Sequence, residues 1–341
     1  MIAASSVVAV LTVAAATSTP KPEMKTVLDA LATLGGKPIE TLTPAEARRQ
    51  PTPADAVKKV LQQQGKSVVP EAVGNVENRT ITGPAGQIPI RIYSPAGPGP
   101  FPVIFYIHGG GWVIADLDTY DSSPRALTNA AQAVVVSTHY RQGPEHKYPA
   151  AHDDVFAAYQ WTLKNAASIK GDPAGVAVVG ESAGGNMAAV TSIRARDQRV
   201  RMPLHQVLVY PVAGTDMNTE SYRENAAAKP LNKPMMAWFA KHYLGEAAAT
   251  GNPEINLAAR TDLKGLPSTT IITADIDPLR SEGQMLGKSL QAAGVAVTSR
   301  NYAGATHEFF GMGAVVPDAK NAVAFAAAEL AKAFAQSRPA R

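Results

Sequence analysis

The chain has 341 residues, 45% of them hydrophobic and 18% charged, a net charge of +4 and no cysteine. That balance supports one sizeable core carrying an added lid, and it lacks the low hydrophobicity and high charge of a disordered chain. The missing cysteine excludes disulfides, thiolate nucleophiles, iron–sulfur clusters and cysteine-bound zinc, and the small basic excess is not gathered into the patch that a nucleic-acid groove needs.

In chain order, Ile2 to Ala16 is an apolar run of mostly small residues that ends in Ala14-Ala15-Ala16, similar to an A-x-A cleavage site and too short to span a bilayer. Residues 1–20 are therefore expected to be a signal peptide, which would place the protein in the periplasm or outside the cell. Because no Lys or Arg precedes the run, a retained helix on a cytoplasmic protein is the alternative. Residues 21–75 read as two or three amphipathic helices punctuated by Pro20, Pro22, Pro51 and Pro53, with Thr43 as an N-cap before Pro44 and Glu46. From Arg79 the period becomes strand-like, and Thr80 to Thr82, a Gly83-Pro84-Ala85-Gly86 turn and Ile88 to Tyr93 read as a hairpin.

Short Val/Ile-rich runs then alternate with helical stretches. The strands are expected at Val103 to Ile107, Val134 to Ser137, Val176 to Val179, Val207 to Tyr210, Thr270 to Thr273 and Val295 to Arg300. The helices are expected at Ala151 to Asn165, Gly185 to Arg196, Glu282 to Ala293 and Ala319 to Gln336. Apolar runs without polar alternation fit strands buried on both faces, which predicts a doubly wound, mostly parallel α/β sheet flanked by helices. Residues 212–262 interrupt the alternation with a helical insertion carrying Met235, Met236, Trp238, Phe239 and Tyr243. Together with residues 21–75 it is expected to form a helical cap, leaving 76–211 and 263–341 as the core.

Gly180-Glu181-Ser182-Ala183-Gly184 follows a buried strand and leads into a helix. A serine held in a strained strand-to-helix turn needs small flanking residues, and the helix start favours negative charge developing beside it. His108-Gly109-Gly110-Gly111-Trp112 closes an earlier strand. Its glycines leave the N–H groups of Gly110 and Gly111 free to approach a substrate oxygen together with that of Ala183, while His108 is better read as shaping the loop. A serine hydroxyl needs a base and an orienting acid. Of seven histidines, His307 is the one that follows the last strand, where the order serine, acid, histidine puts the base. Asp275 and Asp277 both follow the strand before it, and Asp277 is preferred because Pro278 fixes a turn after it. Trp112, Trp238, Phe239 and Met236 are candidates for lining the substrate pocket.

These motifs, with Asp116 to Asp121, Tyr140-Arg141, Gly143-Pro144-Glu145-His146 and Asp277-Pro278-Leu279-Arg280, resemble the hormone-sensitive-lipase-type family of bacterial carboxylesterases in the α/β-hydrolase superfamily. The resemblance spans residues 80 to 335. It implies an α/β-hydrolase fold with a helical cap, a Ser182–Asp277–His307 triad, an oxyanion hole of Gly110, Gly111 and Ala183, and hydrolysis of short- to medium-chain acyl esters. It further implies a small-molecule ester as partner, with no cofactor, no metal, no nucleic acid and no membrane span; a homodimer is compatible with it. Four positions depart from the family pattern: Gln142-Gly143 for Leu-Ala, Ser281 for an acidic residue, and Glu308 for a glycine after the base. Rival readings are polyester or amide hydrolysis by the same triad, and a non-catalytic binding protein on the same fold. A metal hydrolase built on His146, His152, Asp153 and Asp154, or a calcium loop at Asp116, Asp118 and Asp121, lacks the required ligand spacing.

Overall fold

The computed structural model describes residues 18–245 and 251–336, so the expected leader lies, but for its last three residues, outside the described residues. The chain enters through α1 (Pro22–Ala32), α2 (Pro44–Ala47) and α3 (Pro53–Gln63). Thr43 and Thr52 start the last two with reciprocal caps: each threonine hydroxyl accepts from the N–H three residues on, and the Glu46 or Asp55 carboxylate there accepts from the threonine N–H. This satisfies two otherwise orphaned donors per helix, and proline at the first position removes another.

The sheet has eight strands in the order β1-β2-β4-β3-β5-β6-β7-β8. The hairpin of β1 (Asn75–Gly83) and β2 (Gly86–Ser94) is antiparallel, and β2 also runs antiparallel to β4 (Val134–Thr138). All other neighbours are parallel: β3 (Phe101–Ile107), β5 (Gly171–Glu181), β6 (His205–Val209), β7 (Ser268–Ile276) and β8 (Val297–Thr306). Side chains of β3 alternate between two apolar layers. Val103, Phe105 and Ile107 join the layer of α5 (Ala150–Asn165), α6 (Ala183–Asp197) and α9 (Arg280–Ala292). Ile104 and Tyr106 join that of α1, α3, α4 (Ser122–Ala131) and α10 (Pro317–Gln336). A parallel sheet covered on both faces has no need of polar alternation, which is why these strands are nearly continuous in Val and Ile.

Parallel strands bring their carboxyl ends to one edge of the sheet, and β3, β5, β7 and β8 each deliver a loop there. Between β6 and β7 the insertion contains α7 (Glu220–Glu224) and α8 (Lys233–Tyr243). No helix among the described residues is long and apolar enough to cross a membrane.

Candidate active site

Ser182 stands between β5 and α6 with φ +57° and ψ −120°, a conformation that L-residues hold only when their surroundings impose it. The surroundings are hydrogen bonds: its N–H donates to Val209 O at 2.9 Å, and its carbonyl accepts from Asn186 N at 3.1 Å and Val212 N at 3.2 Å. Before the turn, a Cβ on Gly180 would lie 2.1 Å from the Gly184 carbonyl oxygen, so any larger residue would force strand and helix apart.

His307 follows β8 and is buried. Its Nε2 lies 3.0 Å from Ser182 Oγ and its Nδ1 2.7 Å from Asp277 Oδ2. Both contacts are satisfied when the proton sits on Nδ1, leaving Nε2 to accept from the serine. Burial pushes the imidazole pKa down, but the charge and hydrogen bond of Asp277, with smaller contributions from Glu308 and Glu181, outweigh it and leave it above the ordinary histidine value. Asp277 is fully buried, and its other oxygen accepts from Leu279 N at 2.9 Å. Asp275 faces elsewhere: it pairs with Arg280 at 3.1 Å and accepts from Gly304 N at 3.3 Å.

The glycine loop lies beside the serine, since a Cβ on Gly109 would come within 3.1 Å of Ser182 Cβ. Gly110 has φ +96° and Gly111 φ +57°. The N–H groups of Gly110, Gly111 and Ala183 have no protein acceptor among the described residues, so three donors are free at this edge. His108 shapes the loop: Nδ1 contacts Gly109 O at 2.8 Å and Nε2 contacts His139 Nδ1 at 3.0 Å. Burial, reinforced by His139, pushes its pKa down to about 3, so it stays neutral. Gln142 Nε2 donates to Ile114 O and Ala115 O at 2.8 and 2.9 Å, which gives this departure from the family pattern a loop-holding contact.

A set of buried acids and tyrosines backs the site. Glu181 accepts from Tyr106 at 2.5 Å and from Tyr210, and burial, helped by Glu308, pushes its pKa up to about 7. Glu308, with φ +69°, accepts from the Tyr120 hydroxyl at 2.5 Å, and its Oε1 is 3.8 Å from His307 Nε2. Composition and motif spacing contain no trace of this set apart from the unexpected glutamate after His307.

A cavity of about 590 Å³ opens over His307, Glu308 and Gly110. Its apolar wall is Leu28, Leu31, Ile39, Ile114, Leu231, Met235 and Phe239, contributed by the N-terminal helical segment, the glycine loop and the insertion. Of the apolar residues expected to line a pocket, Phe239 does so. Trp112, Trp238 and Met236 do not. Trp112 is buried in a stack with Tyr243, 5.1 Å between ring centroids, so its indole is spent on core packing rather than on the opening. Arg48 ties the N-terminal segment to the core, donating to Val113 O at 2.8 Å, to Gly143 O at 2.7 Å and to Glu145.

Most of the side chains weighed as metal ligands are engaged in other contacts. Asp154 pairs with Arg141 and Asp153 with Arg194, while His152 contacts Tyr243 and Asn186. Asp118 and Asp121 pair with Arg91, and Asp116 accepts from Thr119 and Asp118 N–H groups.

A family model described as alpha/beta hydrolase fold matches residues 104–311. The chain is 40% identical to carboxylesterase NlhH of Mycobacterium tuberculosis over 265 residues, 76% of this chain and 83% of that protein. Among solved structures, an ester hydrolase from the metagenome of Lake Arreo, complexed with a bipyridine phosphonate derivative, superposes with a TM-score of 0.83 at 36% identity, covering 93% of this chain and all of that one. A thermostable esterase from Pseudomonas putida superposes with a TM-score of 0.84 at 33% identity over 94% of this chain and 99% of that one.

Proposed function

This chain belongs to the hormone-sensitive-lipase-type carboxylesterases of the α/β-hydrolase superfamily, and from that premise we propose that it hydrolyses short- to medium-chain carboxylic esters with Ser182 as nucleophile, His307 as base and Asp277 as its orienting acid. The observation that carries the reading is the position of His307, 3.0 Å from Ser182 Oγ on one side and 2.7 Å from Asp277 on the other.

Ser182 Oγ attacks the ester carbonyl while its proton passes to His307 Nε2. The carbonyl electrons move onto oxygen, and the free N–H groups of Gly110, Gly111 and Ala183 receive that charge, each contributing about 10²–10³ in rate. Collapse breaks the bond to the alcohol oxygen, which takes the proton from Nε2. Water then attacks the acyl-serine by the same proton route and the acid leaves. Asp277, buried against Nδ1, holds the tautomer and stabilises the imidazolium between the two transfers. We read residues 21–75 and 212–262 as the cap, because they supply most of the apolar wall over His307. A volume of about 590 Å³ lies within the range of small-ligand sites.

The test is hydrolysis of p-nitrophenyl butyrate by the purified protein, its loss on treatment with a serine-directed phosphonate, and its loss in Ser182→Ala with the fold retained. Turnover by Ser182→Ala at the unsubstituted rate would refute the assignment.

A further inference from the structure

The base that receives the serine proton must return it to the departing alcohol, so the alcohol oxygen comes within hydrogen-bond reach of His307 Nε2, about 3 Å. Glu308 Oε1 lies 3.8 Å from that same nitrogen. The carboxylate therefore lies within reach of a group carried next to the leaving oxygen. It is held there by the Tyr120 hydroxyl on Oε1, while Oε2 has no protein donor among the described residues. Glu308 also lines the cavity, so its unpaired oxygen belongs to a wall that substrate touches.

Glu40 lines the same cavity from the N-terminal segment. Its Oε1 accepts from Asn232 Nδ2 at 3.4 Å and its Oε2 is buried out of reach of the cavity, so the carboxylate beside His307 Nε2 that can meet substrate is Glu308. Glu308 Oε2 is therefore an acceptor without a protein donor in a cavity whose wall is largely apolar. A plain alkyl alcohol offers that oxygen no donor. A hydroxylated alcohol does.

We propose that Glu308 is a specificity-determining residue that selects esters whose alcohol carries at least one further hydroxyl, as in partial esters of diols and polyols. A hydroxyl two or three carbons from the leaving oxygen reaches Glu308 while the leaving oxygen is at His307, so the contact is made in the transition state as well as in the complex and is read in kcat/KM. This inference rests on the triad reading above.

The experiment measures kcat/KM for butyl butyrate and 3-hydroxypropyl butyrate, whose alcohols are isosteric, on the unsubstituted enzyme, Glu308→Gly and Glu308→Gln, beside p-nitrophenyl butyrate. Glycine adopts the φ of +69° freely, and glutamine keeps an acceptor oxygen. The hydroxylated ester is expected to be favoured about tenfold by the unsubstituted enzyme, the discrimination that one additional hydrogen bond supports. The ratio should fall to near one in Glu308→Gly and lie between in Glu308→Gln; comparing ratios between variants cancels the intrinsic reactivity of the two esters. A ratio near one in the unsubstituted enzyme, or one that survives in whichever variants fold, overturns the inference. If p-nitrophenyl butyrate is still hydrolysed in that case, the ester-hydrolase reading stands. If the unsubstituted enzyme turns over none of the three esters, both readings fall.

Discussion

The imidazole of His307 lies 4.4 Å, centroid to centroid, from the ring of Tyr210, whose hydroxyl donates to the buried carboxyl of Glu181. Glu181 directly precedes Ser182, so the backbone that positions the nucleophile and the ring that packs on the base are tied through one side chain. Tyr210→Phe keeps the ring and removes the donor. It is expected to destabilise the fold by about 1–3 kcal/mol, the cost of a buried oxygen left unpaired, with only a few-fold loss in kcat. Tyr210→Ala removes the packing too and should lower kcat much further. Denaturant unfolding and steady-state kinetics on the two variants separate these effects, and a Tyr210→Phe protein as stable as the parent would show that the Glu181 contact contributes nothing.

The two acids after β7 differ in what they face, and that makes them experimentally separable. Asp277→Asn presents an amide to His307 Nδ1 and favours the wrong tautomer, which is expected to lower kcat by about 10³–10⁴ with little change in KM. Asp275→Asn weakens a pair with Arg280 at a partly exposed position, so its activity should stay within a few-fold of the parent. Equal losses in the two variants would contradict the roles assigned to them.

These assignments bear on what a sequence can reveal. Val103 to Ile107 and Val134 to Ser137 were legible as strands because burial on both faces demands continuous apolar runs. Helix α4 was not, since its buried residues are Ser123, Pro124, Leu127 and Thr128, a face too polar to stand out by periodicity. Strand β8 reaches Thr306, although Gly304 within it marks a loop by composition, because its pairing to β7 resumes at Ile276 and Thr306. Ser182 was legible from its own neighbours in the chain. Glu308 stood out as a departure after the base, but its contact with Tyr120 did not, because it joins residues 188 positions apart and exists only once β3 and β8 lie in one sheet.

The raised pKa of His307 fixes the direction of a pH dependence. As pH falls through that pKa, Nε2 takes up a proton and can no longer accept the one on Ser182. The neutral, active base is therefore lost on the acid side, and kcat/KM should drop about tenfold per pH unit below the midpoint. Because Asp277 lifts the pKa more than burial lowers it, that midpoint should lie above the unperturbed value of about 6.5. A profile of kcat/KM for p-nitrophenyl butyrate between about pH 5 and 9, read at the nitrophenol isosbestic wavelength, checks this; a midpoint below the unperturbed value would mean that burial wins.

Gly111 links the oxyanion loop to the cap. Its φ is +57°, and a Cβ added there would lie 2.3 Å from the ring of Phe239 on α8. Gly111→Ala therefore meets two penalties at once, a left-handed backbone worth about 1–2 kcal/mol for a non-glycine residue and a steric collision. Phe239 is buried on α8, so its ring has little room to withdraw and the loop is expected to shift. The amides of Gly110 and Gly111 move with it. The expected result is a loss of about 10²–10³ in kcat with a smaller change in KM, the pattern of an interaction made chiefly in the transition state. Adding Phe239→Ala to Gly111→Ala removes the collision and leaves the backbone penalty, so the double variant should regain part of kcat. If the single variant keeps the parental kcat, the loop amides do not carry the developing charge; if the double regains nothing, the backbone conformation alone decides their position.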